Sequence, residues 1–126
     1  MRRLKFLNSL RYVLLIGFFW SLVSIANGLN TAPQLEVGVA KIRAGALIID
    51  ARSAGDFAVE HIDGAINIPH DQLAGRLDEL AIDKDASIVT YCRSGRRAGV
   101  AAQILLENGY TDVINGGGLE ALKKSL

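Results

Sequence analysis

The sequence lacks several features that would fix a fold or a partner. It has one cysteine, Cys92, in 126 residues, which excludes an internal disulfide and leaves stability to a hydrophobic core. We find no internal repeat, no low-complexity tract and no second domain. Half of the residues are apolar and 21% are charged, the balance of an ordinary globular domain. We therefore predict one domain, with no metal site and no bound cofactor.

A strong excess of charge is also missing. The net charge is +1, and the basic residues at the N-terminus precede the first acidic residue, Glu36. Without residues 1–28 the chain has 10 basic and 13 acidic side chains, a net charge of −3. A domain with a net negative charge is not expected to bind nucleic acid through bulk electrostatics.

No apolar run reaches the length of about 20 residues that a membrane-spanning helix needs. The longest run covers residues 12–26, follows a basic segment and is followed by small residues, an order typical of a secretory signal peptide. We therefore predict a signal peptide over residues 1–28, a mature domain over residues 29–126 and export to the periplasm. The alternative is an uncleaved anchor with the domain facing the periplasm. The processed protein is expected not to contact the membrane.

The mature chain alternates short apolar runs with segments of helical spacing. The predicted strands cover residues 46–49, 65–68, 87–91 and 112–114. The predicted helices cover residues 35–42, 53–59, 71–80, 98–108 and 119–126. This alternation predicts an α/β fold with a central parallel sheet of about four to five short strands and helices on both faces.

Cys92 lies where one predicted strand stops and a helix begins. A helix N-terminus presents free N–H groups and a partial positive charge, which favour a bound anion and a deprotonated thiol. Arg93, Arg96 and Arg97 add positive charge beside it. The alternative, an inert thiol that merely packs in the core, would not need these arginines. The sequence predicts a reactive Cys92 thiolate in an anion-binding cradle.

Three sequence blocks stand in order around this loop. They are Leu47-Ile48-Ile49-Asp50-Ala51-Arg52, His61-Ile62-Asp63-Gly64-Ala65-Ile66-Asn67-Ile68-Pro69, and Tyr91-Cys92-Arg93-Ser94-Gly95-Arg96-Arg97-Ala98 with Val113-Ile114-Asn115-Gly116-Gly117 beyond it. In this order and spacing the blocks resemble the rhodanese-like sulfurtransferases. The resemblance covers about residues 46–122 and implies the rhodanese-like form of the α/β fold.

The resemblance implies a thiosulfate sulfurtransferase that works in two steps. The Cys92 thiolate takes the outer sulfur of a small anionic donor such as thiosulfate and becomes a persulfide. The terminal sulfur of this persulfide is expected to be surrounded by the backbone N–H groups of residues 93–97. A nucleophilic acceptor, cyanide or a thiol, then removes that sulfur, and a protein thiol is a further acceptor class. A persulfide carrier that serves a partner protein is the non-enzymatic alternative.

The length of the loop bears on a third alternative. Cys92 to Arg97 is a Cys-x4-Arg pattern, whereas phosphatases and arsenate reductases of the same fold carry Cys-x5-Arg; the residue at that place here is Ala98. A shorter loop curls its N–H groups around a single sulfur, and a longer one admits a tetrahedral oxyanion. The number of residues between Cys92 and Arg97 and the lack of a second cysteine favour sulfur transfer.

Side chains around the loop have expected roles. We expect Arg97 to close the loop and contact the donor anion. Arg93 and Arg96 either face the pocket mouth as anion contacts or are solvated surface charges. Ser94 either hydrogen-bonds the persulfide or caps the turn, and Gly95 supplies a conformation that a Cβ would forbid.

The resemblance implies structural support from three residues further away. Asp50 and Arg52 match a motif that braces the site through hydrogen bonds, and His61 matches a structural histidine near a turn. Two places depart from the family pattern. Glu60 stands where glycine is usual, which predicts an altered turn, and Leu119-Glu120-Ala121-Leu122 lacks the usual aromatic residue, which predicts a looser closing helix.

Overall fold

The structure, a computed structural model, describes residues 31–126, with side chains from residue 34 onward. The predicted signal peptide over residues 1–28 lies outside the described residues. Within residues 31–126, no helix combines the length and the hydropathy that a membrane crossing requires.

Five helices and four strands alternate along the described chain. The helices are α1 (Thr31–Arg43), α2 (Ala54–Val59), α3 (Leu73–Arg76, followed by a 3₁₀ turn at Leu77–Glu79), α4 (Arg96–Glu107) and α5 (Leu119–Ser125). The strands are β1 (Leu47–Asp50), β2 (Ile66–Asn67), β3 (Ser87–Cys92) and β4 (Asp112–Gly118). All pairs are parallel, in the order β2-β1-β3-β4. The predicted α/β class with a parallel sheet is confirmed, with four strands.

The sheet is covered on both faces because successive residues of its strands point to opposite sides. One apolar cluster contains Ile49, Ala51, Ile68, Leu73, Ile88, Cys92, Ala98, Ala101, Leu105 and Tyr110. The other contains Val39, Ile48, Ile62, Tyr91, Leu119 and Leu122. Helices α3 and α4 therefore cover one face and α1 and α5 the other. Cys92 belongs to the face that α4 covers.

Two predicted elements are shorter in the structure. The strand predicted over residues 65–68 is reduced to β2, since this edge strand pairs only with β1 and the chain turns away at Pro69. The helix predicted from residue 71 begins at Leu73, because a turn precedes it in which the Gln72 N–H donates to the Pro69 carbonyl at 2.9 Å. The prediction of Ser53 as an N-cap is confirmed, since its hydroxyl accepts from the Asp56 N–H at 3.2 Å.

The last strand is longer than predicted, since β4 continues past Ile114 through Gly118. The three glycines of this extension allow close backbone approach. A Cβ on Gly116 would lie 2.7 Å from Cγ1 of Val89, and one on Gly118 would lie 2.6 Å from the carbonyl oxygen of Arg93. Strand β4 thereby reaches the loop that follows Cys92.

We predict that Gly116→Ala lowers the free energy of unfolding by about 1–3 kcal/mol, because the new methyl group overpacks the β3–β4 contact. Urea denaturation of both proteins measures the difference. Gly75→Ala is the matched control: a Cβ on Gly75 meets nothing within 4 Å, so this change should be neutral or stabilise by up to about 1 kcal/mol. Equal stability of the two variants would contradict the predicted overpacking.

Candidate active site

Cys92 is the last residue of β3 and is buried, with 1% of its surface exposed. Its sulfur is not sealed among apolar groups alone, because the Gly95 N–H donates to Sγ at 3.0 Å. Burial raises the pKa of Cys92, but the backbone N–H groups of Ala98, Ser94, Gly95 and Arg97 together lower that pKa below its ordinary value. This geometry favours an ionised sulfur at the end of the strand.

The set of amides overlaps the predicted span of residues 93–97 and extends one residue beyond it. The Ala98 N–H makes the largest contribution among the amides that lower the pKa of Cys92. The reason is the start of α4 at Arg96: the first helical turn aims its free N–H groups back at the sulfur. The cradle thus combines loop amides with amides of the first helical turn.

Gly95 allows the loop to turn back over the sulfur. Its φ is +99°, in the left-handed region that favours glycine. A Cβ at this position would also lie 3.3 Å from Cα of Gly117. Gly95 therefore has the conformation that the sequence predicts for it, and it makes close contact with the end of β4.

Asn115 holds this loop from the side, and sequence reasoning did not assign it to the site. Its side-chain N–H donates to the Gly95 carbonyl at 2.8 Å, and its Oδ1 accepts from the Gly117 N–H at 2.9 Å. One amide side chain thereby joins the loop to the glycine extension of β4. The only sequence signal was an asparagine directly before a glycine run, which does not reveal a partner 20 residues away.

Thr90 ties the start of α4 to β3. Its side chain is fully buried, and its hydroxyl donates to the Ala98 carbonyl at 2.8 Å. Ala98, whose amide contributes most to the cradle, is thereby held at its carbonyl group as well. A threonine inside an apolar strand gives no sequence signal of this role, because β-branched residues are common in strands.

Three guanidinium groups surround the loop. Arg93 and Arg96 are exposed and Arg97 is half-buried. Within residues 31–126, none of the three takes part in an ion pair. Ser94 is exposed and contributes its backbone N–H to the cradle. The positive charge beside Cys92 is therefore available to an anion from solvent.

Asp50 and Arg52 form a buried ion pair behind the loop. Asp50 Oδ2 accepts from Arg52 Nη2 at 2.8 Å and from the Tyr91 hydroxyl at 2.7 Å. The hydrogen bond that Arg52 donates to Asp50 raises the pKa of Arg52, and burial raises the pKa of Tyr91, so the phenol stays a neutral donor. Tyr91 directly precedes Cys92, and its oxygen also accepts from the Ile62 N–H at 3.1 Å. The pair thus braces the strand end without touching the sulfur.

Glu60, where the family pattern has glycine, is the residue at the C-terminal end of α2. Its backbone is extended, with φ −162° and ψ 139°, a conformation that any residue adopts. Its carbonyl accepts from Arg52 Nη2 at 2.5 Å, and its carboxylate pairs with Lys123 of α5. In the closing helix, Leu119 and Leu122 are both buried.

His61 is exposed and makes its contacts within its own segment. Its ring stacks on Phe57 with 3.8 Å between the ring centroids, and its Nδ1 lies 2.8 Å from the Phe57 carbonyl oxygen. These contacts give His61 a place at the end of α2. They give it no contact with Cys92, Asp50 or Arg52.

Comparison with known proteins identifies the family. A family model of the rhodanese-like domain matches residues 34–125. Thiosulfate sulfurtransferase PspE of Escherichia coli K12 is 43% identical over 72 residues, which are 57% of this chain and 69% of PspE. A solved structure described as a rhodanese with anions from E. coli is 40% identical, with a TM-score of 0.57, covering 61% of this chain and 91% of its own.

Longer proteins contain a similar segment. The tRNA uridine(34) hydroxylase of Erwinia tasmaniensis is 37% identical over 86 residues, which are 64% of this chain. The match covers 25% of the hydroxylase, so this chain spans about a quarter of that relative. With the family model matched over residues 34–125, the chain belongs to the rhodanese-like family of sulfurtransferases that its three sequence blocks resemble.

Proposed function

We propose that the protein is a thiosulfate sulfurtransferase that forms a persulfide on Cys92. The observation that carries the proposal is the group of four backbone N–H groups that lower the pKa of this buried thiol. The name of the relative PspE, thiosulfate sulfurtransferase, supports thiosulfate as the donor. Cyanide or a thiol is the proposed acceptor.

In the proposed first step the Cys92 thiolate attacks the outer sulfur of thiosulfate. The sulfur–sulfur bond of the donor breaks, and sulfite leaves with the electron pair. Arg93, Arg96 and Arg97 offset the charge of the donor, because a guanidinium pairs well with an oxyanion. The description of the E. coli structure as a rhodanese with anions supports an anion site of this kind.

In the second step the nucleophile attacks the terminal sulfur of the persulfide, and Cys92 leaves as a thiolate. The amides around Sγ stabilise the negative charge that returns to it, which is preorganised electrostatic stabilisation. A thiol with a lowered pKa is also a better leaving group. The same cradle therefore serves both halves of the proposed cycle.

Two other proposals differ in what happens to the loaded sulfur. A persulfide carrier would pass the sulfur to one partner protein and to no small acceptor. This alternative is worth testing because the domain matches part of a longer hydroxylase. The phosphatase or arsenate reductase remains the less favoured alternative, since the short loop encloses one sulfur atom. We propose export to the periplasm from the sequence pattern of residues 1–28 alone.

We predict that incubation with millimolar thiosulfate adds one sulfur, about 32 Da, to Cys92, as covalent catalysis requires. Intact-mass spectrometry followed by peptide mapping locates the adduct. The control is Cys92→Ser, which should show no adduct because its hydroxyl is not ionised at neutral pH. Absence of an adduct with every sulfane donor tried would refute the function.

The pH dependence of alkylation follows from the lowered pKa of Cys92. The thiolate is the reactive form, so the rate with iodoacetamide should rise with pH through this pKa and then level off. The midpoint should lie below that of an ordinary cysteine, about 8.5. The urea-unfolded protein provides the reference, and a folded midpoint equal to or above the unfolded one would disprove the lowered pKa.

We predict that Asn115→Ala slows thiosulfate loading about fivefold, the effect of losing roughly 1 kcal/mol from one hydrogen bond. It should also raise the alkylation midpoint of Cys92, which a merely structural role would leave in place. Gln103→Ala is the matched control, because among the described residues this exposed side chain on α4 bonds only to Glu107. An unchanged midpoint in Asn115→Ala would show that the clamp does not position the cradle.

A further inference from the structure

A small cavity beside the Cys92 loop has no role in the sulfur transfer described so far. Its volume is about 200 Å³, and it is lined by Ser53, Ala54, Pro69, His70, Asp71, Gln72 and Arg97. We name it the His70 cavity. Because a water molecule takes up about 30 Å³ in the liquid, the cavity has room for a polar group of several heavy atoms.

Backbone hydrogen bonds connect His70 to Tyr91, the residue before Cys92. The His70 N–H donates to the Ala51 carbonyl at 3.1 Å, and the Ala51 N–H donates to the carbonyl of Tyr91, the neighbour of Cys92, at 2.9 Å. Two spacings between neighbouring strands separate the backbones of His70 and Tyr91, which places His70 about 10 Å from Cys92 along the sheet edge. Ligands of parallel sheets bind at this edge.

Arg97 belongs to both places. Its backbone N–H lowers the pKa of Cys92, and Arg97 is among the residues that line the His70 cavity. A ligand with a reacting group at the sulfur can therefore reach the cavity with its other end.

The lining offers mainly hydrogen-bond donors. The Ser53 hydroxyl accepts from the Asp56 N–H and retains its own proton to donate, while His70 and Gln72 each have a ring or amide N–H. Asp71 is the one carboxylate in the lining, and in the part of the chain that the structure describes it forms no ion pair with Arg97. A guanidinium that has no ion-pair partner among the described residues, with hydrogen-bond donors beside it, is suited to a carboxylate.

We propose that the His70 cavity binds the carboxylate of a small thiol acceptor and thereby selects which thiols remove the sulfur from Cys92. This inference rests on the proposed persulfide function. Thiosulfate cannot use the cavity in this way, because its oxygens are on the atom bonded to the transferred sulfur. A thiol whose carboxylate is two or more carbons from its sulfur can occupy the loop and the cavity together.

The transfer balances without any oxidant or reductant. The acceptor thiol gives its proton to solvent, and its thiolate attacks the terminal sulfur of the Cys92 persulfide. A new sulfur–sulfur bond forms in the acceptor as the bond to Sγ breaks. The electron pair of the broken bond returns to Cys92, which is again a thiolate held by the backbone amides.

The test compares two acceptors that differ in charge. Protein loaded with thiosulfate is freed of donor and mixed with 3-mercaptopropionate or its methyl ester, and the loss of the persulfide is followed by mass spectrometry. With rates expressed per thiolate, the acid should react about tenfold faster than the ester, the effect expected of a charge-assisted hydrogen bond. A ratio near one would overturn the proposal.

Variants assign that preference to the cavity. His70→Ala and Gln72→Ala should each reduce the ratio of acid to ester at least threefold, while their backbone hydrogen bonds are kept. His61→Ala is the matched control, because the other histidine of the chain stacks on Phe57, and it should keep the wild-type ratio. An undiminished ratio in the double variant of His70 and Gln72 would place carboxylate selection elsewhere and refute the assignment.

A ligand without a thiol separates this proposal from the persulfide function. 3-(Methylthio)propionate should shift the imidazole NMR signals of His70 and leave those of His61 in place, and its methyl ester should shift neither. Successful loading without a His70 shift would overturn the cavity proposal and leave the function standing. A His70 shift without any loading would refute the function, and with it the cavity's role in selecting acceptors.

Discussion

The backbone N–H groups around one buried sulfur, with the Gly95 N–H donating to Sγ at 3.0 Å, are the constraint on which the site depends. Burial by itself raises the pKa of a thiol, and here the amides more than offset that effect. They can do so only because a short loop runs straight from the end of β3 into the first turn of α4. A helix start provides unpaired N–H groups, and Gly95 in its left-handed conformation allows the chain to bend back toward Sγ.

The loop is held in this shape by contacts from outside it. Asn115 joins it to β4, and the hydroxyl of Thr90 holds the carbonyl of Ala98. Behind it, the buried pair of Asp50 and Arg52 fixes the end of β3 through Tyr91. A buried ion pair contributes little net stability because of its desolvation cost. The main effect of this ion pair is therefore to position the end of β3, not to stabilise the fold.

The fold supplies the location and the loop supplies the chemistry. A parallel sheet covered on both faces leaves its carboxyl edge as the natural ligand site, and both Cys92 and the His70 cavity lie there. The fold alone does not define an activity, and relatives of this chain include both a sulfurtransferase and a segment of a hydroxylase. The length and charge of the loop make sulfur transfer the activity that we favour.

Local pattern determined much of this protein. Short apolar runs that alternate with helical spacing predicted the parallel sheet, and the position of Cys92 before three arginines predicted the cradle. Both depend on residues near one another in sequence, where hydrophobic periodicity and capping rules apply.

Other features were decided only by the tertiary structure. In the sequence, the glycine run of β4 has the pattern of a loop. In the structure it continues the strand and packs against β3 and the Arg93 carbonyl. The role of Asn115, the inclusion of the Ala98 amide in the cradle, and the meeting of His70 with Arg97 all depend on how distant segments pack together. The reason is physical: these contacts join residues far apart in the chain, and side-chain type and spacing carry no record of which distant backbone group will lie within hydrogen-bonding distance.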